Sequence, residues 1–261
     1  MAYRIVTIPK LDEKISEHNQ LALAHKFRNF RLHALKTAPG AFASSYEDEA
    51  KCGLDHTFER LRHAKATQFV ALACNASIPN TKHVCEAGSD ELLNHDWLGI
   101  IVLISLEGGL NGVSAKADPF SQIANKASQS EAAHATQNNN RMHFHLNGTF
   151  VSQSARRRGV GKRLIEVALD TARSVSNRRN DGFHCTIIVD EWNHAAIKLY
   201  ERVGFEVVAK ETYGEDRIAV RMELSRFGAA AAAAAAAAEV ATCEGEEARK
   251  AISQDNNDTA L

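Results

Sequence analysis

No C-x-x-C pair occurs among the five cysteines (Cys52, Cys74, Cys85, Cys185, Cys243), and their number is odd. That disfavours both a disulfide framework and a zinc ribbon and points to a reducing compartment. Net charge is nearly absent as well, since 31 Lys and Arg stand against 32 Asp and Glu. With no global basic field the chain cannot gather phosphates at long range, which argues against a dedicated nucleic-acid binder. No stretch reaches the ~18 apolar residues of a membrane-crossing helix. From Met1 to Lys10, Tyr3, Ile5 and Ile8 alternate with polar residues in place of the basic stretch and apolar run of a secretory leader. The expectation is a cytoplasmic protein without a membrane partner. What is well supplied is hydrophobic sequence, 44% of 261 residues, which suffices for one core of ordinary size.

Two segments stand apart by composition. Residues 107–141 include Gln137, Asn138, Asn139 and Asn140 and carry no hydrophobic period, so they read as a low-complexity loop insertion. Residues 228–261 run from Gly228 through ten alanines, Ala229 to Ala238, into an acidic and polar end. Alanine favours helix, but this stretch has no large apolar face to dock and reads as a disordered tail. One domain, 1–227, remains.

Within it the pattern is mixed α/β. Tyr3 to Ile8 reads as a strand, and Lys14 to Lys36 places Leu21, Leu23, Ala24, Phe27, Phe30, Leu32 and Leu35 at near-helical spacing up to Pro39. Thr57 to Ala64 reads as a shorter helix. Gln68 to Cys74 and Trp97 to Leu106 form a strand pair joined by a polar stretch, Asn75 to Asp96. Met142 to Val151 is a strand, Gly161 to Val175 a helix, Phe183 to Val189 a strand, and Asn193 to Val203 a helix closed by Gly204. Phe205 to Ala209 is a further strand. The last strand alternates Ile218, Val220, Met222 and Leu224 inward with Arg217, Ala219, Arg221 and Glu223 outward.

Arg156-Arg157-Arg158-Gly159-Val160-Gly161 stands between a strand and an amphipathic helix. Glycines allow close backbone approach, and the free amides of a helix start suit a diphosphate. It is not a Walker loop, because Arg163 stands where a magnesium-binding Ser or Thr belongs. Nor is it a dinucleotide fingerprint, because Leu164 occupies the third glycine position. On its own the segment is better read as a tight turn followed by a solvated basic face.

Phe150-Val151 followed by Arg156-x-x-Gly159-x-Gly161, and then Asn193-x-x-Ala196-Ile197-x-Leu199-Tyr200-x-x-x-Gly204-Phe205, resembles the GNAT superfamily of N-acetyltransferases. The resemblance implies an α/β (α+β) fold: a twisted mixed sheet of about seven strands flanked by about four helices, with its central parallel strands splayed apart. It implies acetyl-CoA as acyl donor, its pantetheine arm pairing with the backbone at Phe150 and Val151. The diphosphate then lies on the amides of Arg156, Arg157, Arg158, Gly159, Val160, Gly161 and Lys162. Asn193 becomes a cofactor contact as well as a helix cap. Tyr200 becomes the general acid for the departing thiolate, the other reading being a tyrosine that fills the core.

In some family members a Glu or His upstream of the phosphate loop is the base, a position matched here by His145. The alternative is a hydrogen-bonded strand histidine. A metal held by His143 and His145 lacks further ligands at recognisable spacing, so no metal is expected. The implied reaction is direct attack of a primary amine on acetyl-CoA, the acceptor being a small molecule. A protein N-terminal or lysine acetyltransferase and a non-catalytic acetyl-CoA-binding module are the alternatives. The resemblance places the acceptor wall at Phe42 to Glu49 and Thr212 to Arg217. Glu47, Asp48 and Glu49 there could attract a cationic amine or be first-turn acids of a helix capped by Ser44 or Ser45. Either a monomer or a homodimer is compatible with the sequence.

Overall fold

The computed structural model describes residues 2–12, 14–42, 44–74, 85–106, 141–179, 181–213 and 217–226. The apolar segments form strands β1 (Ala2–Thr7), β2 (Ala66–Cys74), β3 (Cys85–Glu86), β4 (Trp97–Ser105), β5 (Arg141–Val151), β6 (Gly182–Asp190), β7 (Glu206–Tyr213) and β8 (Arg217–Arg226). They build one sheet in the order β3-β1-β2-β4-β5-β6-β8-β7. β1 with β3 and β5 with β6 are parallel, and the remaining pairs are antiparallel. The mixed sheet of seven long strands is the expected α/β architecture, β3 adding two residues at one edge. The insertion and the tail read from the sequence lie outside the described residues, apart from Arg141, which opens β5.

Six α-helices occur among the described residues: α1 (Glu17–Thr37), α2 (Tyr46–Lys51), α3 (Leu54–Arg62), α4 (Ser89–Asn94), α5 (Val160–Arg178) and α6 (His194–Glu201). The three-four spacing along α5 buries Leu164, Ile165, Ala168, Leu169 and Ala172 against Phe69, Ile101, Phe144 and Leu146. On the opposite face, Leu23, Ala24, Phe27 and Ala34 of α1, with Leu61 of α3 and Leu92 of α4, cover Val70, Leu72, Trp97, Ile100 and Phe150. Each large side chain so buried contributes roughly 1.5–3 kcal/mol. Ser16 caps α1 by accepting from the Asn19 amide at 3.3 Å, and the chain turns at Pro39 beyond its end.

Two local expectations are corrected. The stretch between β2 and β4 is not merely a polar connection, because it holds β3 and α4. Leu92 is fully buried and its carbonyl accepts from the Trp97 indole N–H at 2.9 Å, so one leucine and one indole pin a helix too short to show a period. Ala219, expected on an outward face, is 1% exposed because it sits between Asp190 of β6 and Glu211 of β7.

The feature that positions the site lies at the sheet's centre. β5 and β6 pair only from Arg141 opposite Gly182 to Leu146 opposite Ile187. Beyond that point β5 follows β4 alone, and there the register slips: Asn147 faces Val102 and Phe150 faces Ile100. Gly148 and Thr149 thus oppose the single residue Ile101, and Gly148 takes φ +61°. A two-against-one bulge bends its strand, and here it opens the gap beside β6.

Gly99 on β4 is what lets the two strands approach at the open end. A Cβ there would stand 2.8 Å from the Phe150 carbonyl oxygen and 3.1 Å from Leu164 Cδ1. Gly99→Ala is therefore expected to lower stability by about 1–3 kcal/mol, as overpacking does, measured by urea unfolding.

Candidate active site

After β5 the chain makes a turn at Gln153–Ala155 and reaches α5 through Arg157 at φ +61° and Gly159 at φ +80°. The first bond of α5 runs from the Arg163 amide to the Gly159 carbonyl at 3.0 Å. The amides of Val160, Gly161 and Lys162 precede that bond, so the helix offers them no carbonyl, and they form a positive end. The three arginines differ in role. Arg156 Nε donates to the Val151 carbonyl at 3.0 Å and its guanidinium lies 6.0 Å from the Phe150 ring centre. Arg157 and Arg158 are exposed. Gly161 is small because a Cβ would come within 3.2 Å of Leu199 on α6.

The gap between β5 and β6 opens into a cavity of about 490 Å³. Its walls include Asn147, Gly148 and Thr149 at the bulge, Ile187 to Val189 on β6, and Asn193, Ala196 and Tyr200 of the α6 segment. Tyr200 is 3% exposed, and its hydroxyl donates to Thr149 Oγ1 at 2.9 Å. Burial pushes its phenol up to about 12, outweighing the Thr149 bond, which acts the other way. The buried tyrosine therefore also fills the core, its ring meeting Phe205 edge-on at 5.6 Å, so the two sequence readings of Tyr200 describe one side chain. Asn193 caps α6, its Oδ1 accepting from the Ala196 amide at 3.2 Å.

Not every expected residue reaches this place. His145 lies where β5 and β6 still pair, opposite Ile104 and Thr186. It is 6% exposed, with Nδ1 2.9 Å from Thr186 Oγ1, and is not among the cavity walls. The resemblance implies a base at His145, but pairing of β5 with β6 persists through Leu146, and this leaves His145 beneath the opening. His143 stacks near His184, ring centres 5.1 Å apart. Among the described residues no group of three or more His, Cys, Asp or Glu could hold a metal ion.

The structure also brings in residues that sequence reasoning passed over. Arg31 of α1, with His56, Glu59, Arg60 and Arg62 of α3, lines the cavity. Behind them Glu49 of α2 is 7% exposed and bridges Arg31 Nε at 3.0 Å and Arg60 Nη2 at 3.2 Å. Burial alone would raise the Glu49 carboxyl, but the two guanidiniums hold it below its ordinary value. Burial and Arg60 hold His56 below the ordinary imidazole range. Ser45 caps α2 by accepting from the Asp48 amide at 3.0 Å, as first-turn acids suggest. Its spacing from Phe27 and Ala34, which puts one charged residue on the buried face of α1, was the available signal for Arg31.

Residues 131–205 match the family model described as Acetyltransferase (GNAT) family. No curated protein matches the chain in sequence. Among solved structures, Arabidopsis thaliana NAA60 in complex with a bisubstrate analogue shares 13% identity at TM-score 0.50, covering 85% of this chain and 99% of that one. The same protein with acetyl-CoA gives 13% and 0.47, over 86% and 98%. An acetyltransferase of the GNAT family from Streptococcus pneumoniae gives 10% and 0.46, over 86% and 100%. At such identities the likeness to the first concerns the fold.

The Tyr200–Thr149 bond makes its own prediction. Thr149→Val keeps the shape but leaves a buried phenol without its acceptor, a loss of about 1–3 kcal/mol. Thr149→Ser is expected to retain most of the parent stability, and urea unfolding of the two variants checks this.

Proposed function

Because residues 131–205 match the GNAT acetyltransferase family model, we propose that the chain transfers the acetyl group of acetyl-CoA to a primary amine, most simply that of a small molecule. The observation that carries this reading is the opening between β5 and β6, flanked by a helix start free to bind a diphosphate and by a buried phenol on the bulge. In this reading the amides from Arg156 to Lys162 take the diphosphate of the cofactor. The pantetheine arm runs along β5 at Phe150 and Val151, where β6 has left the edge, with Arg156 bracing the Val151 carbonyl. Asn193 holds the start of α6 against the cofactor.

The acceptor nitrogen, as a neutral amine, attacks the thioester carbonyl carbon, and a C–N bond forms. The C–S bond then breaks, its electron pair passes to sulfur, and Tyr200 gives the thiolate its proton. The phenol turns from Thr149 to the sulfur in that step. The ammonium proton leaves through water toward His56, Glu59 and His63, the acid–base side chains on the cavity wall. Burial and Arg60 favour the neutral form of His56, the form that accepts a proton. His145 is placed to support Thr186 instead.

Two outcomes test the reading. Gly159→Val puts a branched side chain at a φ of +80° where the cofactor backbone contacts fall, and calorimetry is expected to show strongly weakened acetyl-CoA binding by a folded variant. Tyr200→Phe is expected to bind acetyl-CoA as the parent does while kcat falls about 10²-fold or more. A phenol raised to about 12 keeps its proton well above the ordinary tyrosine range, so it should impose no basic limb on kcat between about pH 8 and 10. Unchanged kcat in Tyr200→Phe, with chemistry rate-limiting, would leave only the binding role.

A further inference from the structure

The cavity wall opposite α6 has an excess of positive charge that the reaction does not require. Arg31, Arg60 and Arg62 line it, with Glu59 as the one carboxylate among the described lining residues. Arg62 is committed to the fold, donating to the Leu11 carbonyl at 3.2 Å and to Gln20 Oε1 at 3.0 Å. Arg31 and Arg60 differ from it, because both turn on one carboxylate, Glu49, which is buried behind them and does not line the cavity. One buried acid holds two guanidiniums in place.

Arg31 is also the cation that reaches the reaction centre. Its Nε is held by Glu49 at 3.0 Å and its Nη2 donates to Ser44 Oγ at 3.4 Å. The other terminal nitrogen, Nη1, lies 3.9 Å from the place a Cβ would occupy on Gly148. Gly148 is the bulge residue next to Thr149, the acceptor of the Tyr200 hydroxyl. A guanidinium edge therefore stands beside the bulge residue that precedes Thr149, and both Arg31 and Tyr200 line the same cavity.

On the reading of this chain as an amine acetyltransferase, we propose that its acceptor carries a carboxylate close to the attacking amine, and that Arg31, seconded by Arg60, binds that carboxylate. A planar guanidinium pairs with a carboxylate through two parallel hydrogen bonds, which fixes orientation as well as affinity. The position of Nη1 beside the bulge calls for a short separation between the two groups, as in an α-amino acid or the N-terminal acidic residue of a peptide. The same positive wall disfavours the ammonium form and holds the acceptor amine toward its nucleophilic state.

The experiment compares matched acceptors on the full chain: α-amino acids, ω-amino acids and their carboxamides, and short peptides beginning with Asp or with Asn. CoA release is followed for each, and binding is measured separately by calorimetry in the presence of CoA. A carboxylate is expected to raise kcat/KM about 10- to 100-fold over its carboxamide, most for α-amino acids. Free amino acids exceeding peptides identifies a small-molecule acceptor, and the reverse identifies a peptide, the carboxylate preference upholding the proposal in both.

Arg31→Gln is expected to collapse the carboxylate-to-carboxamide ratio. Arg31→Lys, which keeps the charge but loses the planar fork, is expected to retain only part of it. Equal use of carboxylate and carboxamide overturns the inference and leaves the transferase reading standing. So does an Arg31→Gln variant that slows both acceptors equally, since the guanidinium then serves the reaction itself, or one that weakens CoA binding instead. Carboxylate-selective binding without any CoA release upholds the anion site and overturns the transferase reading.

Discussion

The organisation of this molecule depends on one interrupted ladder of hydrogen bonds. β5 and β6 are paired up to Leu146 and Ile187 and then part, because the extra residue at Gly148–Thr149 bends β5 along β4. Parallel strands at the centre of a sheet normally satisfy each other's backbone groups, so parting them is unfavourable unless something else meets those groups. Here the parting is upheld from both faces. α5 packs beneath it through Leu164 and Ile165, and Phe150 is held above it among Phe30, Phe42 and His33. Gly99 supplies the close approach without which β5 could not follow β4 so tightly.

Much of this was legible in the sequence where the determinants are local. The glycine turn before α5 and the cap of α6 act within a few residues of themselves, so the turn at Gly159 and Asn193 as an N-cap could be read directly. β4, β5, β6 and β8 are legible as strands because their apolar segments are long enough to declare a period, whereas the central parallel pair was implied by the GNAT resemblance. Gly99 gave no such sign, because its reason is a carbonyl on another strand. His145 shows a subtler limit. It shares a face with Ile104 and Thr186, paired neighbours of the cavity's floor, yet how far a parallel pairing runs before it parts cannot be counted from one strand.

Glu49 illustrates how two readings of one residue can coexist. Its sequence position is that of a first-turn acid, and α2 does begin with Ser45 capping Asp48. The next acid in line is turned inward by helical geometry and meets arginines from α1 and α3. Local electrostatics accounts for Glu47 and Asp48, whereas Glu49 is explained only by tertiary packing. Three consecutive helices are thereby joined at one carboxylate.

The brace between Arg156 and the carbonyl of Val151 has a consequence for how a ligand would be received. A glycine-containing loop left to itself samples many conformations, and a ligand that must select one among them binds slowly and with lost entropy. Tied to the strand end by its own arginine, and with Arg157 and Gly159 already in the left-handed region, the turn is set before anything arrives. A ligand received by such a preset turn would associate at a rate governed by diffusion and charge instead of by loop ordering.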